Sequence, residues 1–372
     1  MAAPTSVLAY NVGGPVYDVE MSKDGQYIAV TSKNKLFLFN LTHGKLWDFN
    51  VSTADVHSLA ISGNGQYIAC GDGAHNVTLL NRTSRFMWNY TTGNKVLAVA
   101  LSQDGEFVVA GSDDNNVTLF YKNGTKKWEE TRGDDVRAVD ISMDGSHIVS
   151  GDTAGNVTLF DSDGYIWNYT LDMIASVAIS ADGEFIIAGD SMNTNVTLFD
   201  KDDGNNYLWS YNTSESPIAV DISADGSYSV SGGREPRCHV TLFNSETGFV
   251  WTYNTSENVR DVAMSADGKY FVSGNQLGYV HLFNRKGVIW THDAEINVAS
   301  VAISQDGQYF AYGAGDVLHV YYNRLPVQLN PIPLFLRYLK EKYKITPQIL
   351  GVLLGIMIGV GAIIIFLIYK KR

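Results

Sequence analysis

An all-β, eight-bladed β-propeller closed by its N-terminal strand, plus a C-terminal transmembrane α-helix, is what the sequence predicts, on three observations. The tetrad Ser-x-Asp/Asn-Gly begins at Ser22, Ser62, Ser102, Ser142, Ser180, Ser223, Ser265 and Ser304, eight copies spaced 38 to 43 residues apart. Each copy holds short alternating apolar runs between Gly-rich turns, the mark of a four-stranded sheet that cannot bury both faces alone and so stacks radially on its neighbours. Residues 349–369 form a stretch of 21 without a charge. At the helical rise it spans about 32 Å, enough for a hydrocarbon core of about 30 Å.

The copy from Val136 to Tyr169 shows each element. Val136 to Ile141 alternates large Val139 and Ile141 with small or acidic Ala138 and Asp140, the period of two of a strand. Asp144-Gly145 turns the chain, since Gly tolerates positive φ and Asp bonds its own backbone two residues on. A second strand runs from His147 to Ser150 and ends at Gly151, and a third runs from Asn156 to Phe160. After the turn Asp161 to Gly164, a fourth carries Ile166-Trp167-Asn168-Tyr169. Its aromatic pair returns as Trp88/Tyr90, Trp209/Tyr211 and Trp251/Tyr253, with variants at Trp47/Phe49, Trp128 and Trp290. A large ring at one fixed place per copy suits packing between neighbouring sheets. The eighth copy ends at Val317 to Tyr322 without a fourth strand, whereas Val7-Leu8-Ala9-Tyr10 precedes the first copy. Pairing the two closes the ring and ties down both of its ends.

The run Val-x-x-Val-x-Ile-Ser-x-Asp-Gly-x-x-Ile-Val-x-Gly followed by Val-Thr-Leu-Phe-Asp resembles the WD-repeat propellers over residues 6–323. It departs from them in lacking the Gly-His pair before the first strand and in placing Phe160-Asp161 or Phe243-Asn244 where Trp-Asp stands in that family. The segment Glu246-Thr247-Gly248-Phe249-Val250-Trp251 is similar instead to the Thr-Gly-…-Trp tail of pyrroloquinoline-quinone-type propellers. The second resemblance implies eight blades.

Charge divides the chain. Residues 1–324 hold 20 Lys+Arg against 38 Asp+Glu, net −18, and residues 325–372 hold 7 against 1, net +6. So acidic a domain repels nucleic acid and anionic lipid, which argues against phosphate-backbone binding by the propeller; its acidity also serves solubility. Cys70 and Cys238 fall in the second and sixth copies, on opposite sides of an eight-membered ring, and are expected as free thiols. Cys238-His239 is an isolated pair, and no metal-spaced Cys/His set exists.

Four parts follow along the chain: the propeller at 1–324, a linker with a juxtamembrane amphipathic helix at 325–348, the transmembrane helix at 349–369 and a basic tail at 370–372. Leu325 to Pro333 contains prolines that cannot continue a sheet ladder. Leu334 to Lys344 sets Leu334, Phe335, Tyr338, Leu339 and Tyr343 against Arg337, Lys340 and Lys344, a helix suited to the membrane surface or to an ordered connector. Gly351, Gly355 and Gly359 fall four apart, spacing that lets a second helix approach and a homodimer form.

The side of the membrane is signalled two ways. Twelve Asn-x-Ser/Thr sequons, at Asn40, Asn50, Asn76, Asn81, Asn89, Asn116, Asn123, Asn156, Asn168, Asn195, Asn212 and Asn254, suit a glycosylated exterior protein, while repeat duplication alone also multiplies them. The segment before Val7 holds no apolar signal region, as in tail-anchored cytosolic proteins. Cations flank the helix on both sides, so the positive-inside rule is balanced. The exterior is the reading adopted, on the premise of a signal segment upstream.

First strands of a propeller line its channel, where the sequence offers Asp18, Glu20, His57, Arg137, Asp140, Asp221, Arg260 and Asp261. Carboxylates with His suit a divalent cation, but these are scattered over five blades with alanine at many equivalent positions, so inter-strand ion pairs or turn-facing carboxylates are the reading adopted. Asp161-Ser162-Asp163-Gly164 and Asp200 to Gly204 are acidic turns without the full calcium-loop pattern. Nucleophile elbow, phosphate loop and dinucleotide fingerprint are all lacking. The expectation is a non-enzymatic, membrane-anchored scaffold for a protein or glycan partner, with no cofactor and no resident metal. A metal- or quinone-dependent enzyme and a surface-coat component are the alternatives. The quinone resemblance implies adjacent cysteines that this chain lacks, so it carries over shape and not cofactor.

Overall fold

The computed structural model describes residues 3–83, 85–204 and 206–324. The juxtamembrane helix, the 349–369 helix with Gly351, Gly355 and Gly359, and the basic tail expected from the sequence lie outside the described residues. Among those residues no helix is long and apolar enough to cross a membrane.

Among the described residues thirty-two strands form eight four-stranded antiparallel sheets. Blades 1 to 7 are each a continuous meander, spanning residues 16–50, 56–91, 96–131, 136–170, 174–212, 217–254 and 259–293. Blade 8 takes its first three strands from residues 298–322 and its outermost from Thr5–Asn11, which pairs antiparallel with Val317–Tyr322 in the register Thr5↔Tyr322 to Asn11↔Val317. The closure read from the sequence is therefore present.

Side chains of two neighbouring sheets make each core cluster. In one, Val149, Val157, Leu159 and Trp167 of blade 4 pack with Ile174, Val177, Ile186 and Phe199 of blade 5. Glycine on the second strand lets the neighbouring sheet approach: a Cβ on Gly151 would sit 2.3 Å from Ile174 Cγ2. The recurrent fourth-strand tryptophan has a polar task beside its apolar one, since Trp167 Nε1 donates to Lys201 O of the next blade at 2.7 Å, and Trp47, Trp88, Trp128, Trp209 and Trp251 do likewise at 2.9–3.2 Å.

The tetrad folds because Ser142 Oγ donates to Asp144 Oδ1 (2.8 Å) and accepts from His147 N–H (3.0 Å), closing the turn on itself. Its second residue builds a feature the sequence did not announce. The backbone N–H groups of Lys23, Gly63, Gln103, Met143, Ala181, Ala224, Ala266 and Gln305 each donate to the carbonyl of the next member, Gln305 returning to Lys23, at 2.8–3.0 Å. Eight hydrogen bonds thus run as a closed circle around one mouth of the channel. That end of the ring, which also bears the third-to-fourth-strand turns, is here the turn face; the other is the loop face.

Candidate functional site

Innermost strands place their third and fifth residues on the channel. The third residues include Asp18, Ser58, Ser176, Asp261 and Ser300, and the fifth include Glu20, Asp140 and Asp221, with alanine in most other blades. The sixth residues, Met21, Ile61, Leu101, Ile141, Ile179, Ile222, Met264 and Ile303, form an apolar collar around a cavity of about 260 Å³ that also touches Asp140, Asp221 and Lys23. Beyond it the channel opens on the turn face into a bowl of about 1090 Å³ rimmed by Lys23, Asp24, Asp104, Asp144, Asp267 and Asp306.

Four of the five channel carboxylates grip the blade that follows. Asp140 takes Ile141 N–H on one oxygen (2.8 Å) and Ile179 N–H of blade 5 on the other (2.9 Å). Asp221 takes Ile222 (2.8 Å) and Met264 of blade 7 (2.7 Å), Asp18 takes Val19 and Leu59 of blade 2 (both 2.9 Å), and Asp261 takes Val262 (2.9 Å) and Val301 of blade 8 (2.8 Å). Ser58 and Ser176 accept in the same manner from Val99 and Val220. At the seam Ser300 Oγ lies 3.0 Å from both Asp18 Oδ1 and Asp261 Oδ2 and accepts Val19 N–H at 3.2 Å.

Protein surrounds these groups even where a channel-facing atom meets solvent, and burial weakens the charged form. Burial, then the charge of Asp261, raises Asp18 to about 7. Burial raises Asp221 to about 7 and both Asp140 and Asp261 to about 6. Glu20 is held well above its ordinary value by burial and then by Asp18, Asp261, Asp221 and Asp140. Lys23 is pushed down by burial against the opposing pull of Asp140 and Asp221.

The eight candidates from the sequence therefore divide. The five carboxylates share one field in the channel. His57, Arg137 and Arg260 do not join them: each falls in the register shift after the first residue of its strand, between Val56/Ser58, Val136/Ala138 and Val259/Asp261, and stands exposed toward the loop face. His57 lies 5.2 Å from the Tyr17 ring, and Arg260 Nε donates to Asn297 Oδ1 at 3.4 Å. The carboxylate–His grouping is thereby corrected, and among the described residues no three His, Cys, Asp or Glu groups are placed to hold a metal ion. The expected ion pairs are corrected too, because the partners of the channel aspartates are backbone N–H and serine hydroxyl groups. In the acidic turns, Asp161 Oδ1 accepts Asp163 N–H (2.7 Å) and Gly164 N–H (3.1 Å), and Asp200 Oδ1 accepts Asp202 N–H (2.9 Å), so both cap their own turns. Cys70 and Cys238 are buried free thiols.

The sequons separate by what their amides do. Asn40 is buried and donates to Gln26 O, while Asn76 and Asn156 donate to Asp72 and Asp152. Asn168 is exposed and donates to Asn156, and Asn212 donates to Asn193, Thr194 and Asn195. Asn116 and Asn195 accept from Thr131 and Asn212, and Asn81 takes Gln66, Thr83 N–H and the Thr83 hydroxyl on its oxygen. Asn50, Asn89, Asn123 and Asn254 are exposed. Sequence reasoning passed over the serines at 58, 176 and 300, which act only through blades distant in the chain, and Lys23, the variable residue of its tetrad.

Comparison with known families matches the blades piecewise. The family described as outer membrane protein assembly factor BamB matches residues 32–173, and the family described as WD domain, G-beta repeat, matches residues 248–284. No curated protein matches the chain. The chain is an eight-bladed β-propeller similar to both repeat families, each in different blades.

Proposed function

We propose that this chain is a non-enzymatic, membrane-anchored scaffold whose propeller holds a protein partner, with the propeller on the exterior side. The observation that carries the reading is the use of both oxygens of Asp18, Asp140, Asp221 and Asp261 on backbone N–H groups: the polar groups of the channel serve to join blades. The similarity to an assembly factor and to WD domains supports a protein as the partner, and the uncharged run at 349–369 supports the anchor.

Cross-linking mass spectrometry on intact membranes, with protease protection and glycopeptide mapping of the same sample, tests this. The expected result is a reproducible cross-linked protein partner, cleavage from outside, and glycans at exposed Asn50, Asn89, Asn123 and Asn254 but not at Asn40, whose amide is buried. A chain released by carbonate washing, or one that cross-links to nothing above an unrelated membrane protein, overturns the scaffold reading. Full protection without glycan overturns the exterior placement.

A further inference from the structure

One sector of the loop face departs from the repeat in three adjacent blades. In blade 4 the loop between second and third strands is Thr153 to Gly155, whereas in blade 6 it is Arg234 to Cys238, two residues longer. Insertions in repeat proteins gather on the face that binds. Arg234, Glu235, Pro236 and Arg237 are all exposed. The equivalent loops on either side carry Met192 and Leu277, 63% and 54% exposed, and Ile296, 51% exposed, adjoins the Leu277 loop. The other exposed large apolar side chains lie on outer strands or beside them.

This sector is held in shape. In blades 2, 4 and 5 the end of the second strand supplies a carboxylate to its own loop, as Asp72 Oδ1 accepts Ala74 and Asn76 N–H at 2.8 Å. Blade 6 has Gly233 there, and Glu215 from the preceding loop occupies the space: a Cβ on Gly233 would meet Glu215 Cδ at 2.4 Å. Glu215 is 1% exposed and its Oε2 accepts His239 N–H at 2.8 Å. Glu235 N–H donates to Asn258 Oδ1 (2.8 Å), and Asn258 Nδ2 donates to Gln276 Oε1 (3.2 Å), beside Leu277. A surface ordered before it binds loses less entropy on binding.

The cations here make no close ion pair among the described residues, although the charge of Arg237 acts on buried Glu215. None of Arg234, Arg237 and Arg260 lies within ion-pair distance of a carboxylate among the described residues, although Glu235, Glu257 and Glu295 share the sector. Burial and then the charge of Arg260 lower Arg234, so the two guanidinium groups face each other's repulsion. A carboxylate between them removes that repulsion and gains charge-assisted hydrogen bonds. Arginine beside exposed apolar anchors is also the composition of binding hot spots, and methionine adapts to the shape it meets.

We propose that this arc of blades 5 to 7 is the partner-binding surface of the scaffold, and that it takes an extended protein segment bearing carboxylates beside an apolar side chain. The proposal rests on the scaffold reading above. Its test uses the full chain in detergent and three labelled twelve-residue peptides, one of Asp/Glu with Leu, one of Lys with Leu and one of Ser with Leu, read by fluorescence anisotropy. The acidic peptide is expected to bind at least about tenfold more tightly than the others, R234E/R260E to weaken it about tenfold or more, M192S/L277S to weaken it about fivefold, and R137E, on the same face of blade 4, to change it less than about twofold. Unchanged tryptophan fluorescence and melting temperature show that the variants fold. No preference for the acidic peptide, or equal loss in R137E and R234E/R260E, overturns the proposal. Membrane cross-links that persist in R234E/R260E refute this surface while leaving the scaffold reading intact; absence of any cross-linked partner in the unaltered chain removes the scaffold reading itself.

Discussion

Stability should fall as pH rises through the channel carboxylates, and Asp140→Asn removes one of them together with its push on Glu20 and Asp221. A carboxyl raised from 3.8 to about 6 binds its proton more tightly in the folded chain than in the unfolded one. Its contribution to stability is therefore fully present below pH about 4 and lost as pH climbs through about 6. At ~1.4 kcal/mol per unit, the shift of Asp140 amounts to about 3 kcal/mol. Asparagine has no such titration, though it keeps the shape and one acceptor, so its loss of the second N–H contact costs the same at every pH. Relative to the parent, D140N should therefore gain about 2.4 kcal/mol of that between pH 4 and 7, whatever its absolute stability. Urea titrations followed by tryptophan fluorescence at four pH values measure this difference. Asp144, Asp225 and Asp267 do not confuse it: although burial opposes, hydroxyl, N–H and, for Asp267, Lys269 donors hold them below 3.8, so their contribution is lost only as pH falls beneath about 4. A D140N-minus-parent difference that stays flat from pH 4 to 7 would refute the account of the channel as a desolvated carboxylate field.

Two further outcomes follow from packing and hydrogen bonding. Gly226 (φ +67) would place a Cβ 2.1 Å from Phe185 Cδ2, whereas Gly44 (φ +72) has nothing within 4 Å; thermal melts should show Gly226→Ala costing about 2 kcal/mol more than Gly44→Ala, and equal costs would mean the Phe185 ring yields freely. Trp167→Phe removes the 2.7 Å bond to Lys201 O while keeping a large ring, and should lower stability by about 1–2 kcal/mol in chemical denaturation, with no change indicating that water replaces the indole without cost.

Blade number and closure were legible because each copy repeats a local chemical device. Ser142, Asp144 and Gly145 act within six residues of one another, and a device that local leaves its mark in sequence order. The same locality made the sequons ambiguous. In Asn-Val-Thr of blade 4, Asn156 Nδ2 donates to Asp152 Oδ2 at 2.8 Å and Thr158 is fully buried, so the triplet is also how a third strand begins in this fold. What acts across blades stayed hidden. Ser300 meets Asp18, 282 residues away, and Glu215 substitutes for the carboxylate missing at Gly233, from a different loop. His57, Arg137 and Arg260 share the inner strands with the channel carboxylates, but they are second residues, out of phase with the third and fifth that face the channel, and each falls in a register shift.

The seam in blade 8 also bears on how the ring can be assembled. The strand Thr5–Asn11 finds its partner only at Val317–Tyr322, so in a chain made from its N-terminus that first strand waits until nearly the whole propeller exists. Contacts of such sequence separation form late and slowly, and the open faces of the earlier blades stay adhesive meanwhile. The seam also brings Thr5 opposite Tyr322, close enough for a short peptide to join them. A permuted chain joined there and reopened in the turn at Gly44, where a Cβ would touch nothing, would make all four strands of blade 8 in succession and move the waiting strand to blade 1. Comparing its refolding rate with that of the parent would show whether the position of the seam, and not the number of blades, sets the pace.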